Sequence, residues 1–275
     1  MSQSDKPIYK YFIHSSNTNT HIVEIQKEQY LRLKSLFNKL RGLENILLSY
    51  QNVIFVKDNY DRMNKQIIES ADINKGYSLG AFMLSSYSFM SRALVDNLKS
   101  LARRSKNNQA TVLLEKYEKD IDNTLLKIIR NYSQHTAIPI DNVRKTYDVL
   151  ESTTSIEYLL NRDKIIKGII IKTKEYDTIP KLKKHFEKEI DFNSLIAQWQ
   201  KNLDVLIHES LIIYGASLPS KEVECLRKQL SFFLLDYGSH KVDSIFKEKD
   251  SWFSEKYVIE RDKLLVLLDY IPGDE

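Results

Sequence analysis

Cysteine, proline and glycine are all scarce in this chain of 275 residues, at 1, 5 and 7. The single thiol, Cys225, excludes an internal disulfide and a zinc site of paired thiolates. The glycines form neither G-x-G-x-x-G nor G-x-x-x-x-G-K-[ST], so Rossmann and P-loop nucleotide binding are excluded. So few turn residues favour long helices over a turn-rich β architecture. No run approaches the roughly 18 consecutive apolar residues of a membrane span. The first twenty residues, MSQSDKPIYKYFIHSSNTNT, lack the basic start, apolar core and small-residue cleavage site of a signal peptide, so a cytoplasmic address is expected. A charge of one sign is also missing: 41 Lys+Arg against 37 Asp+Glu leaves +4, too little to argue a nucleic-acid partner from charge alone.

What is present is apolar patterning. Hydrophobic residues make up 42% of the chain, enough for a substantial core, and tyrosine is frequent at 16. Residues 7–14 and 21–25 are rich in β-branched and aromatic side chains around the polar run SSNTNT, which predicts a small hairpin. From Gln26 to Ser70 apolar residues recur at threes and fours, predicting two long helices or one broken near Tyr50. Leu84, Tyr87, Leu94, Leu98 and Leu101 form the strongest stripe, and Ser85, Ser86, Ser88 and Ser91 beside it permit close helix approach. Arg92 and Asp96 are spaced to pair at i,i+4. After a loop at 105–109, Leu114, Tyr117, Ile121, Leu125, Ile128 and Tyr132 form a second stripe that must end before Pro139. Residues 79–137 therefore read as a helical hairpin. Beyond Pro139 the character changes: 153–160 and 164–176 carry β-branched residues without helical spacing and suggest a strand or two. Helix is expected at 180–214, with Phe186, Leu195, Trp199 and Leu203 on one stripe, and again at 222–235, while 262–270 fits strand or helix equally. Any domain boundary falls near residue 140, giving a 1–140 helical domain and a 141–275 α-rich extension packed on it.

The six histidines form no HExxH pair and lie at no metal-ligand spacing. His208 beside Glu209 and Ser210 lacks a GxSxG context and sits in a helical run, where a boundary histidine is the ordinary explanation. The exceptional segment is IIRNYSQHTAIP, 128–139. Arg130, followed directly by Asn131, precedes His135 by five positions near the end of an amphipathic helix that itself follows another long helix. This resembles the HEPN superfamily, whose signature is Arg, a polar residue, three further residues and His on a helix of a compact bundle. RNYSQH followed by Ile-Pro is similar to segments in an uncharacterised bacterial branch of that superfamily.

The resemblance covers about 79–140, extends back toward 26, and leaves the C-terminal half unexplained. It implies a mainly α, HEPN-like helical bundle with a small β element and a helical C-terminal extension. It implies a metal-independent endoribonuclease with Arg130 and His135 catalytic and Asn131 supporting, without cofactor or metal. Many members are ribonucleases, toxins or antiviral-defence effectors, so the implied partners are an RNA substrate, a second copy of the chain in a homodimer, and an antitoxin or defence protein, with no membrane. The alternative is a non-catalytic helical module for nucleotide binding or protein interaction. One common variant carries a tyrosine two residues after the histidine, linked to control by nucleotidyl transfer; here that position is Ala137, so that control is not implied.

The residue types suit the chemistry. RNA carries its own nucleophile, the 2′-hydroxyl, so cleavage needs one group to move protons and one to stabilise charge on phosphorus. Histidine, with an ordinary pKa near 6.5, suits the first task; arginine, always cationic and forked, suits the second. On an ideal helix positions five apart lie about 140° around the axis, whereas Asn131 and His135 lie within about 40°. Arg130 and His135 thus do not share a face, and two copies meeting across a two-fold axis would bring one chain's arginine to the other's histidine.

Overall fold

The computed structural model describes residues 9–15, 22–70, 73–135, 140–148, 153–172, 176–221, 223–224, 242–249, 252–260 and 267. The protein is mainly helical, and the chain groups into two compact units, 1–47 with 210–275 and 48–209. The sequence boundary near 140 falls inside the second of these.

In the first unit, β1 (Tyr9–Ser15) and β2 (Ile22–Ile25) pair antiparallel, as the predicted hairpin requires. Two strands from the other end of the chain complete the sheet in the order β2-β1-β6-β7, with β6 (Val242–Lys249) against β1 and β7 (Trp252–Glu260) against β6. These two strands stand where the sequence left the character of the last residues open. Tyr30, Leu33, Leu36, Phe37, Leu40 and Leu43 supply this unit's buried helical stripe. They belong to α1 (Lys27–Ser70), which runs unbroken through Tyr50, so the single-helix alternative holds. The predicted helix at 222–235 and the 262–270 segment lie outside the described residues, apart from Val223, Glu224 and buried Leu267.

In the second unit α2 (Ile73–Ser105) carries the expected stripe, with Met83, Leu84, Tyr87, Leu94 and Leu98 buried. The next stripe is shared by two helices rather than one, α3 (Asn108–Lys119) and α4 (Ile121–His135). Asp120 makes the break: its backbone is extended, and its Oδ1 accepts the N–H groups of Asp122 (3.0 Å) and Asn123 (3.2 Å), so it caps α4.

After α4 come β3 (Ile140–Asp148) and β4 (Thr153–Asn161), then α5 (Arg162–Lys172), α6 (Ile179–His185), β5 (Glu189–Asp191) and α7 (Phe192–Ala216). The sheet order is β3-β4-β5, antiparallel throughout. The strand expected at 153–160 is therefore present, but 164–172 is α5, a correction. Its isoleucines Ile165 and Ile166 are buried on a helix that Asn161 starts, its Oδ1 accepting the Lys164 N–H at 3.1 Å. The helix expected over 180–214 is interrupted by β5. Trp199 is fully buried, stacks on Tyr87 and donates from Nε1 to the Asp122 carbonyl at 2.8 Å, which ties α7 to α2 and α4.

Candidate functional site

The site is built on α4, whose start is held from three directions. Asp120 caps it, Trp199 donates to its first turn, and buried Asn123 accepts from Asn202 Nδ2 (3.3 Å) while donating to the Tyr117 carbonyl (2.9 Å). Leu125, Leu126, Ile128 and Ile129 then bury its apolar face. Those contacts fix the axis along which the following turns are presented.

Arg130 and Asn131 follow directly. Arg130 is half-buried, and its Nη1 donates to Asn131 Oδ1 at 2.8 Å. Arg130 Nε is buried with no hydrogen-bond partner, and so is Ser133 Oγ. Positions three apart lie within about 60° on a helix, so these two uncommitted polar groups belong to one side of the last turns of α4. A guanidinium has five N–H donors, and burying one of them unpaired costs free energy that an incoming anion would recover. His135 is the last residue of α4; its side chain lies outside the described residues, as does Ala137. Asn131 holding Arg130 was readable as support for the motif; the orphaned Nε and Ser133 left no trace in the sequence, because they depend on what packs around α4.

Elsewhere, Arg92 pairs with Asp96 at 3.0 Å as its spacing suggested, and also with Glu118, which Lys99 reaches at 2.5 Å. Burial pushes the Glu118 carboxyl up, but hydrogen bonds from Lys99 and Arg92 and their charges outweigh it and hold it below the usual range. At the start of α4 the balance is opposite. Burial and neighbouring Asp120 push the Asp122 carboxyl up, against His185 at 3.4 Å. A second polar chain runs through the core: Tyr87 donates to Gln200 (3.0 Å), whose amide donates to Asp204 (2.6 Å), which also accepts from Tyr50 (2.5 Å). His208 is exposed and Ser210 buried, about 200° apart on α7, so they do not form a nucleophile pair.

A cavity of about 380 Å³ lies between α3 and α7, with Leu113, Tyr117 and Leu206 among its apolar lining and Lys116, Lys119 and Lys201 at its edge. Neither Arg130 nor Asn131 lines it. Among the described residues no group of three or more His, Cys, Asp and Glu side chains could hold a metal ion, and no described helix is long and apolar enough to cross a membrane. Comparison with family models, with curated proteins and with solved structures finds no match for this chain.

Proposed function

We propose that the protein is a metal-independent endoribonuclease of HEPN type, a cytoplasmic toxin or antiviral-defence effector acting with a second copy of itself. The observation that carries this reading is Arg130, oriented by Asn131 while its Nε stays buried and uncommitted, two turns of helix or less from His135. In the reaction, His135 takes the proton from a ribose 2′-hydroxyl, the 2′-oxygen attacks the adjacent phosphorus, and the 5′-oxygen leaves with a proton. Arg130 stabilises the charge that builds on the phosphoryl oxygens. The products are a 2′,3′-cyclic phosphate and a free 5′-hydroxyl. An antitoxin or defence protein is the partner class that would restrain or direct such an activity.

The purified chain should cleave single-stranded or loop RNA in excess EDTA and leave cyclic phosphate ends. His135→Ala should lower the rate by at least ~10², the usual contribution of a positioned acid or base. Arg130→Lys should also fail, since an ammonium cannot reproduce the fork. If the site is shared between two chains, mixing Arg130→Ala with His135→Ala protein restores part of the activity. Cleavage that vanishes with chelator, or that survives the histidine change, retires the reading.

One observation favours the second reading, a non-catalytic nucleotide-binding module: the lysine-edged cavity between α3 and α7. Saturable nucleotide binding there, with no RNA cleavage, would select it.

A further inference from the structure

The most anomalous surface in the second unit is apolar. Phe82 and Phe89, seven residues apart on α2, are 59% and 49% exposed, and Phe55 and Met63 on α1 are 69% and 42% exposed. The two helices pack antiparallel in a defined register. Asn97 Nδ2 donates to Ser49 Oγ at 2.9 Å near one end, and a Cβ on Gly76 would lie 3.6 Å from Ile67 near the other. That register sets Met63 level with Phe82, and Phe55 near the level of Phe89, on the outer side of the helix pair. Of the small residues that suggested close helix approach, Ser88 and Ser91 are buried while Ser85 and Ser86, between the two phenylalanines, remain partly exposed.

We propose that this face of α1 and α2 is the surface through which two copies of the chain pair about a two-fold axis. Its size fits. Aromatic side chains offer roughly 150–250 Å² each, so the four residues present about 400 Å² of accessible apolar area. A standard interface covers about 800 Å² per partner, a little over half of it apolar, so this patch alone supplies nearly the whole apolar share. An isolated monomer rarely leaves so much exposed without use.

Charge points to a second copy rather than a different partner. Within the patch the flanking polar residues are neutral: Asn52, Asn59, Ser85 and Ser86. The charges that edge it are Arg62, level with the Phe82 end, and Asp96, beyond Phe89 at the other. Arg62 lies seven residues past Phe55 and Asp96 seven past Phe89, so each is about 10 Å from the middle of the patch in opposite directions. A two-fold axis through the middle brings Arg62 of one copy to Asp96 of the other, twice. An anionic polymer or a strongly charged partner finds no such match.

The inference rests on exposure and register, and it stands or falls apart from the nuclease reading. Sedimentation of the full chain should show a concentration-dependent dimer. Phe82→Ser with Phe89→Ser should shift it to monomer without lowering the thermal midpoint, because both side chains already face water in one chain. Arg62→Asp and Asp96→Lys should each weaken pairing by roughly tenfold, and the two together should restore it. A strict monomer at high micromolar concentration, a dimer indifferent to both serines, or a double charge reversal that stays weak overturns the proposal. RNA cleavage by any of these variants, or its loss, reports only on the nuclease.

Discussion

Glu118 gathers two cations from a neighbouring helix, Arg92 and Lys99, and its carboxyl is held below the usual range once their hydrogen bonds outweigh burial. An acid whose folded pKa is depressed adds stability above its unfolded pKa and loses it as pH falls through the folded one. Glu118→Gln should therefore lower stability at neutral pH by about 1 kcal/mol, a figure already reduced for partial exposure of the cluster. Urea denaturation at neutral pH checks it. Repeating the comparison below the ordinary carboxylate range should find variant and parent nearly equal, and a gap that persists there would assign the loss to packing instead. At this scale the sequence was readable where partners lie one turn apart, as for Arg92 with Asp96 and Arg130 with Asn131. It was silent on Glu118, 26 positions from Arg92, because nothing local links them.

Between elements, two glycines on one side of α2 distinguish propensity from packing. A Cβ on Gly80 would stand 2.5 Å from the Tyr158 ring and 2.9 Å from Ile140 Cδ1, both deeply buried, whereas on Gly76 its nearest neighbour is 3.5 Å away. Alanine gains roughly 1 kcal/mol of helix propensity over glycine at either position. At Gly76 that gain should survive, raising stability by about 0.5–1 kcal/mol. At Gly80 the clash with a ring that cannot move should reverse it, costing about 1–3 kcal/mol. Paired thermal melts test the sign, and equal effects at the two positions would mean α2 does not approach β3 and β4 as described. The same contact shows why β4 was readable and β3 was not. β4 buries Ile156, Tyr158 and Leu160 at alternate positions, while all of β3 beyond Ile140 is exposed or half-exposed and offers no alternation. α5 misled for the converse reason: its run of isoleucines reads as strand, yet Asn161 starts a helix that buries Ile165 and Ile166.

At the scale of the chain, pairing between distant segments was the part no local pattern carried. β1 and β6 pair Tyr9 with Lys249, across nearly the whole sequence. The second unit shows the same dependence, since α7 supplies what the helices before Pro139 do not contain. Trp199 is fully buried against Tyr87 and Phe192, and Leu195 and Leu203 of the same stripe are buried with it. A chain cut at residue 140 loses that indole, the hydrogen bond to the Asp122 carbonyl at the start of α4, and Asn202 from Asn123. It exposes Tyr87, Leu84 and the buried face of α4 to water, an apolar surface that a soluble monomer does not sustain. The 1–140 fragment should therefore be insoluble or melt without cooperativity, and Trp199→Ala in the full chain should cost about 3–5 kcal/mol by the same loss. The consequence reaches the candidate site, because Arg130 and Asn131 are aimed by a helix whose first turn α7 anchors. Trp199→Ala should then weaken RNA cleavage under conditions where the chain remains folded by circular dichroism. A 1–140 fragment that is monodisperse, melts cooperatively and cleaves RNA as well as the full chain would show that α4 is positioned without α7.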